Sequence, residues 1–187
     1  MHDVGVTTLV AVFAFAGTMV DNGVAYVAQL ALTEPARHRR AHVGQFAGFL
    51  VLLAGSAVVG ASLGDVPLRW IGALAVVPLA LAIARWRHRR RPPRAVRRGT
   101  VATFFLTVAF GGDNLAVWIP LFRAGGLRDG ALTAAVFVLA DLLLLVAVSF
   151  GASRARVVDL TQRAGPLVVP FLYVGLAVLV AWECRLF

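Results

Sequence analysis

The sequence predicts an all-α integral membrane protein: six transmembrane helices arranged as two inverted three-helix repeats. Three observations predict it. Apolar runs recur at roughly 18–25 residues, the length a helix needs to cross about 30 Å of hydrocarbon. The charged residues gather between those runs, and all 18 basic residues are arginine. A short motif, an aspartate followed by an asparagine deep inside an apolar run, occurs twice, at Asp21–Asn22 and Asp113–Asn114.

Composition sets the class. Of 187 residues, 60% are hydrophobic and 14% charged, with a mean hydropathy of +0.84. A soluble domain carries about a quarter charged residues. The net charge of +9 would suit nucleic acid in a soluble protein, but arginines in short loops are what holds those loops in the cytoplasm. Nucleic acid is therefore excluded as a partner. A lysine-free, alanine-rich chain fits a GC-rich bacterial genome and the inner membrane. One cysteine, Cys184, excludes an internal disulfide and any multi-cysteine metal site. The start, "MHDVGVTTLV", lacks a basic leader, so the first apolar run is expected to stay as a helix.

The helices are expected near 4–32, 43–64, 67–84, 100–122, 131–150 and 164–183. They form one membrane domain: repeat one over 4–84, a basic cytoplasmic loop at 85–99 and repeat two over 100–183. Loops one, three and five hold three, eight and three arginines, fourteen of the eighteen. Basic loops stay in the cytoplasm, so both termini are expected outside. The string "RWRHRRRPPRAVRR" in the third loop reads as a topology anchor that attracts anionic lipid.

The repeat rests on one register. The two Asp-Asn pairs are offset by 92 (113 − 21), and the same offset carries Pro78 onto Pro170 and "VVPLALAI" onto "VVPFLYVG". It also carries Tyr26 onto Trp118. Three helices per repeat force the halves into opposite orientations, a recurring plan of secondary transporters.

The polar residues within the runs are the candidate site. An ionised aspartate at midplane costs on the order of 3 kcal/mol by insertion scales, and no arginine lies inside either span to offset it. Helical spacing puts Gly17, Thr18, Asp21 and Ala25 on one face, and Ala109, Gly112, Asp113, Ala116 and Pro120 on another. Small neighbours admit a second helix or an ion. Gly111, Gly112 and Pro120 mark a local break that would free carbonyls as ligands. Carboxylate and amide oxygens are hard ligands for divalent cations. The candidate metal-binding residues are thus Thr18, Asp21, Asn22, Gly112, Asp113 and Asn114, with Asp141 as a third intramembrane acid. A protonated aspartate hydrogen-bonded to a neighbouring helix is the plainer reading of the same residues, most of all for Asp141. Gln29 and Gln45, near span ends, read as interfacial, and His38, His42 and His88 lie in or beside basic loops.

The strings "GTMVDNGV", "HVGQFAG", "IGALAVVPLALAI", "GGDNLAVWIPLF" and "VVPFLYVGLAVLV" resemble the cadmium resistance transporter family (CadD-like), within the lysine-exporter superfamily. The resemblance runs from about residue 10 to 182. It implies a six-helix, non-enzymatic exporter of divalent cations, cadmium and zinc foremost, with the metal as cargo and no resident cofactor. Thr18 and Asp21 match the first motif, and Gly111 to Asn114 the second. The family often has asparagine where this chain has Met19 and Phe110, and a second acid where it has Asn22. Cargo choice is therefore open between metals. An exporter of amino acids or other small organic solutes, and a non-transporting membrane scaffold, are the alternatives. Neither the coupling ion nor assembly into a homo-oligomer follows from the sequence.

Overall fold

The computed structural model describes residues 3–31, 33–87, 99–152 and 154–184. Within the helices, the side chains at 20, 21, 24, 25, 28, 35, 85, 110, 155, 157, 158, 160–162, 165–167 and 169 lie outside the described set. The expected basic loop at 85–99 is described only at its two ends, and His88 lies outside it.

The described chain is all-helical, with no strand. Its elements are α1 (Val4–Ala31), α2 (Pro35–Ser62), α3 (Leu68–Gly72), a 3₁₀ turn (Ala73–Ala75), α4 (Val76–Arg87), α5 (Thr100–Phe110), α6 (Gly112–Ala152) and α7 (Ala155–Glu183). α6 is two helices in one. Gly126 has φ 64° and ψ −164°, a backbone region open essentially to glycine alone. The chain folds back there: Phe122 meets Phe137 at 6.3 Å between ring centroids, and a Cβ on Gly130 would lie 3.4 Å from Phe122.

Helical stretches occupy each expected span, with different ends. α2 begins at Pro35 rather than near 43, because proline suits the first turn of a helix, where its missing N–H costs nothing. His38 and His42 are thereby helical rather than in a loop. His38 Nε2 sits 3.1 Å from the Leu30 carbonyl and 3.0 Å from that of Thr33, capping the end of α1. α7 likewise starts at Ala155, well before 164. Two helices among the described residues, Ala36–Ser62 and Gly112–Ala152, are long and apolar enough to cross a membrane.

α1 packs on α6 and α7, α2 on α5 and α6, and α4 on α7. Glycines set the closest approach. Gly44 and Gly48, one turn apart on α2, lie against α5: a Cβ on Gly44 would run into the Thr100 carbonyl, and one on Gly48 would lie 2.8 Å from Thr107 Cβ. Farther along, a Cβ on Gly60 would stand 3.0 Å from the Ile119 carbonyl. Small residues one turn apart let helix backbones touch where water exclusion supplies no drive. At the far end of α2, Arg123 Nε donates to the Leu63 carbonyl at 2.7 Å, and Nη2 reaches the Gly64 and Val66 carbonyls. These carbonyls lie in the turn after α2, where Leu63 also accepts from the Val66 N–H at 3.0 Å.

Gly44→Val and Gly48→Val should each lower the unfolding free energy by about 1–3 kcal/mol, the usual cost of overpacking. Gly55→Ala is the control, because nothing lies within 4 Å of its Cβ position. Thermal unfolding in detergent checks this, with a fall in midpoint expected for the first two variants only.

Candidate functional site: a buried polar layer

Four aromatic rings close a circle across the bundle. Centroids are 6.2 Å apart for Phe15–Phe49, 5.8 Å for Phe49–Trp118, 5.0 Å for Trp118–Phe137 and 5.8 Å for Phe15–Phe137. One helical turn away, about 6 Å, stand Met19 and Asp141, four residues after Phe15 and Phe137, and Gln45 and Asn114, four before Phe49 and Trp118. Two hydrogen bonds link these residues in pairs. Asn114 Nδ2 donates to Met19 Sδ at 3.5 Å, and Gln45 Nε2 donates to Asp141 Oδ1 at 3.0 Å. Along α1 and the second half of α6, Phe15 meets Phe137 and Gly23 lies against Leu144.

All four residues are buried, Asn114 and Asp141 at 0% exposure. Each amide nitrogen of the layer has a partner, while three oxygens do not. Gln45 Oε1, Asn114 Oδ1 and Asp141 Oδ2 have no hydrogen-bond partner. A buried acceptor without a donor costs about 1–3 kcal/mol, and each of the three is an oxygen that a cation or a proton would satisfy.

The sequence-predicted residues divide around this layer. Thr18, fully buried, donates to the Ala14 carbonyl at 2.8 Å and accepts from Trp118 Nε1 at 3.1 Å. That bond fixes the indole in the aromatic circle and leaves Thr18 largely committed. Asn22 Nδ2 lies 3.7 Å from Met19 Sδ, on the same sulfur as Asn114. The backbone of Asp21 is helical, two residues past Met19; its side chain lies outside the described residues, as does that of Phe110.

Asp113 is only half-buried and opens the first turn of α6. Its Oδ1 accepts from the Asn114 N–H at 3.0 Å and its Oδ2 from the Tyr173 hydroxyl. A carboxylate at a helix N-terminus is favoured by the helix dipole, and both oxygens of Asp113 have donors. Asp141, in mid-helix, has one amide donor and an empty oxygen. Gly112 is exposed. The expected break falls at Gly111, where a Cβ would collide with Leu52, but its carbonyl accepts the Asn114 N–H at 3.1 Å rather than standing free. Among the described residues, no three histidine, cysteine or acidic side chains gather as a metal site; amide oxygens and a thioether make up the rest of this layer.

Sequence reasoning missed Gln45. The structure makes it a core residue, 5% exposed, instead of an interfacial one. The signal was present: Ala41, Gln45, Phe49 and Leu53 recur every fourth residue, and all are buried. Tyr26 and Trp118, the two aromatics matched by the repeat, are both buried, at 6% and 0%. Each bonds across to another helix, since Tyr26 Oη lies 2.8 Å from His42 Nδ1. His42 Nε2 in turn lies 2.9 Å from Ser149 Oγ. Ser149 gives its one proton to the Leu145 carbonyl at 2.7 Å, so His42 Nε2 carries the hydrogen of that bond.

No protein-family model, curated protein or solved structure matches this chain.

Asp141→Asn should fold as well as the native chain, because an amide pairs with the Gln45 amide through both of its polar atoms. Gln45→Leu strips Asp141 of its donor and should cost about 1–3 kcal/mol. Unfolding midpoints of the two variants, measured side by side, check the difference.

Proposed function

We propose that the chain is a secondary transporter that exports divalent metal cations from the bacterial cytoplasm, coupled to protons. The observation that carries the reading is the buried layer with three oxygens that no donor meets. A substrate carboxylate, as in an amino acid, would bring further oxygens to oxygens already unmet, so the layer favours a cation over an organic acid. Asn114 and Asp141 supply oxygens from α6 and Gln45 from α2, while Asp113, next to Asn114, and Asp21, two residues after Met19 in the sequence, are further acids. The resemblance to cadmium resistance transporters supports the same cargo class.

Six membrane spans complete the proposal. An apolar exterior supports them: Leu9, Val58, Val101, Leu143, Phe150 and Phe171 are all more than 60% exposed, far beyond the scattered apolar residues of a soluble surface. Trp70, Trp86 and Trp182, at span ends, are 67%, 53% and 74% exposed, as aromatic belts at the membrane interface would be. The inverted repeat is supported by Pro78 and Pro170, buried at matching positions on α4 and α7, which pack together. Interruptions at Ala73–Ala75, Gly111 and Gly126 give the two halves places to bend during alternating access.

Topology is tested by a cysteine. Cys184 itself is a poor reporter: it is 1% exposed, and burial pushes its thiol up to about 11. In a Cys184→Ala background, Leu127→Cys at the fold-back of α6, where the native side chain is 94% exposed, should react with an impermeant thiol reagent on intact cells. Reaction only after permeabilisation would reverse the orientation.

Transport is tested by removing the acids. Asp21→Asn, Asp113→Asn and Asp141→Asn should each abolish metal efflux, measured in cells and normalised to the variant in the membrane. The sequence ranks Asp113 above Asp141; the burial and empty oxygen of Asp141 place it at least level. Native efflux by both Asp113→Asn and Asp141→Asn would falsify the proposed site.

A further inference from the structure

Met19 is one of two methionines in the chain and the one soft atom in the polar layer. Its side chain is 2% exposed. A buried methionine ordinarily fills apolar gaps, but here two amides meet the sulfur. Asn22 Nδ2 approaches at 3.7 Å from the same helix, and Asn114 Nδ2 at 3.5 Å from α6. A thioether is a weak acceptor, and two amide donors spent on it gain little. Their geometry holds the sulfur in the layer, and it leaves Asn114 Oδ1 without a partner. The sulfur, that oxygen, Gln45 Oε1 and Asp141 Oδ2 each belong to a residue one helical turn from the same aromatic circle. Three are hard and one is soft.

We propose that Met19 Sδ is a direct ligand of the transported cation and that it sets the cargo class. The proposal rests on the reading of the chain as a cation exporter and adds the ligand that discriminates. Hard ions such as magnesium, calcium and manganese prefer oxygen alone, whereas thioether sulfur favours soft and borderline metals. With one carboxylate in the layer, the oxygens supply charge and the sulfur supplies selectivity. Met19 is thus more than a polar ligand lost from the sequence: it exchanges a hard donor for a soft one. No covalent bond is made or broken: the amides of Asn22 and Asn114, which donate to the sulfur without an ion, turn away as the ion takes the sulfur lone pairs, and the turn of Asn114 presents its Oδ1 in place of its N–H.

The test uses the full-length protein in detergent and three ions: cadmium, zinc and manganese. Affinities come from ion-dependent shifts in thermal unfolding. The native protein should prefer cadmium to manganese. Met19→Leu keeps the volume but removes the sulfur, and should cut that preference at least ~10-fold while manganese still binds, a loss of the size that altering a metal's surroundings typically brings. Met19→Cys restores a soft donor and should restore the preference. Selenomethionine labelling gives a readout independent of any variant's folding: with cadmium bound, X-ray absorption at the selenium edge should show a cadmium neighbour. Unchanged preference in Met19→Leu, or a selenium spectrum with no metal neighbour, overturns the role of Met19 while leaving cation export standing. A native protein stabilised by none of the three ions would sink both.

Discussion

A polar layer inside an apolar bundle is the constraint on which the other features depend. The oxygens of Gln45, Asn114 and Asp141 are buried among packed side chains and no donor of the chain meets them, so each carries the cost of a polar group taken from water without a partner. The chain supplies one amide bond to Asp141 and stops. At about 1–3 kcal/mol for each unmet acceptor, the layer subtracts an amount comparable to a large part of a domain's net stability. The neighbouring elements offset that loss. The four-ring aromatic circle closes one side of the layer, and Thr18 pins the indole of Trp118 within it. The glycines of α2 bring α5 to backbone contact, so dispersion forces act where the layer contributes little.

The acids of α6 illustrate how position decides chemistry. Asp113 and Asp141 are the same residue type on one helix, yet they meet different fields. Asp113 sits at a helix start, with a backbone N–H and a tyrosine hydroxyl on its two oxygens. Both of its acceptors are met. Asp141 is about four turns past the break at Gly126, where the dipole gives no help and Gln45 donates to one of its oxygens alone. An acid so placed gains more from a proton or a cation than one whose oxygens already have donors.

The breaks in the helices have separate causes. Gly111 yields to the side chain of Leu52 on α2, so that break belongs to packing. Gly126 turns the chain through a conformation reserved for glycine, so that break belongs to topology and makes two antiparallel segments of one long apolar stretch. Both flank the segment carrying Asp113, Asn114 and Trp118. A segment hinged at each end can shift as a unit, which is how a bound ion would be passed from one face of the bundle to the other.

The sequence by itself determined the helical class, the position of each helical stretch and the identity of most polar residues in the bundle, because hydropathy and residue type are local properties that the chain writes directly. Helix ends were less legible: α2 and α7 run back over charged residues that hydropathy assigns to loops, since backbone hydrogen bonding continues where apolarity stops. The paired motif at Asp21 and Asp113 drew attention to Asn22 and Asn114, and so to the helices that line the layer. Only the tertiary structure decided which of these residues meet. It moved Gln45 from the interface to the core, gave Asp141 its partner from α2, separated Asp113 by its place at a helix start, and put the sulfur of Met19 among amides. Each of those facts is a contact between residues dozens of positions apart, fixed by helix register and by glycines that admit close approach, and a one-dimensional pattern carries no record of register.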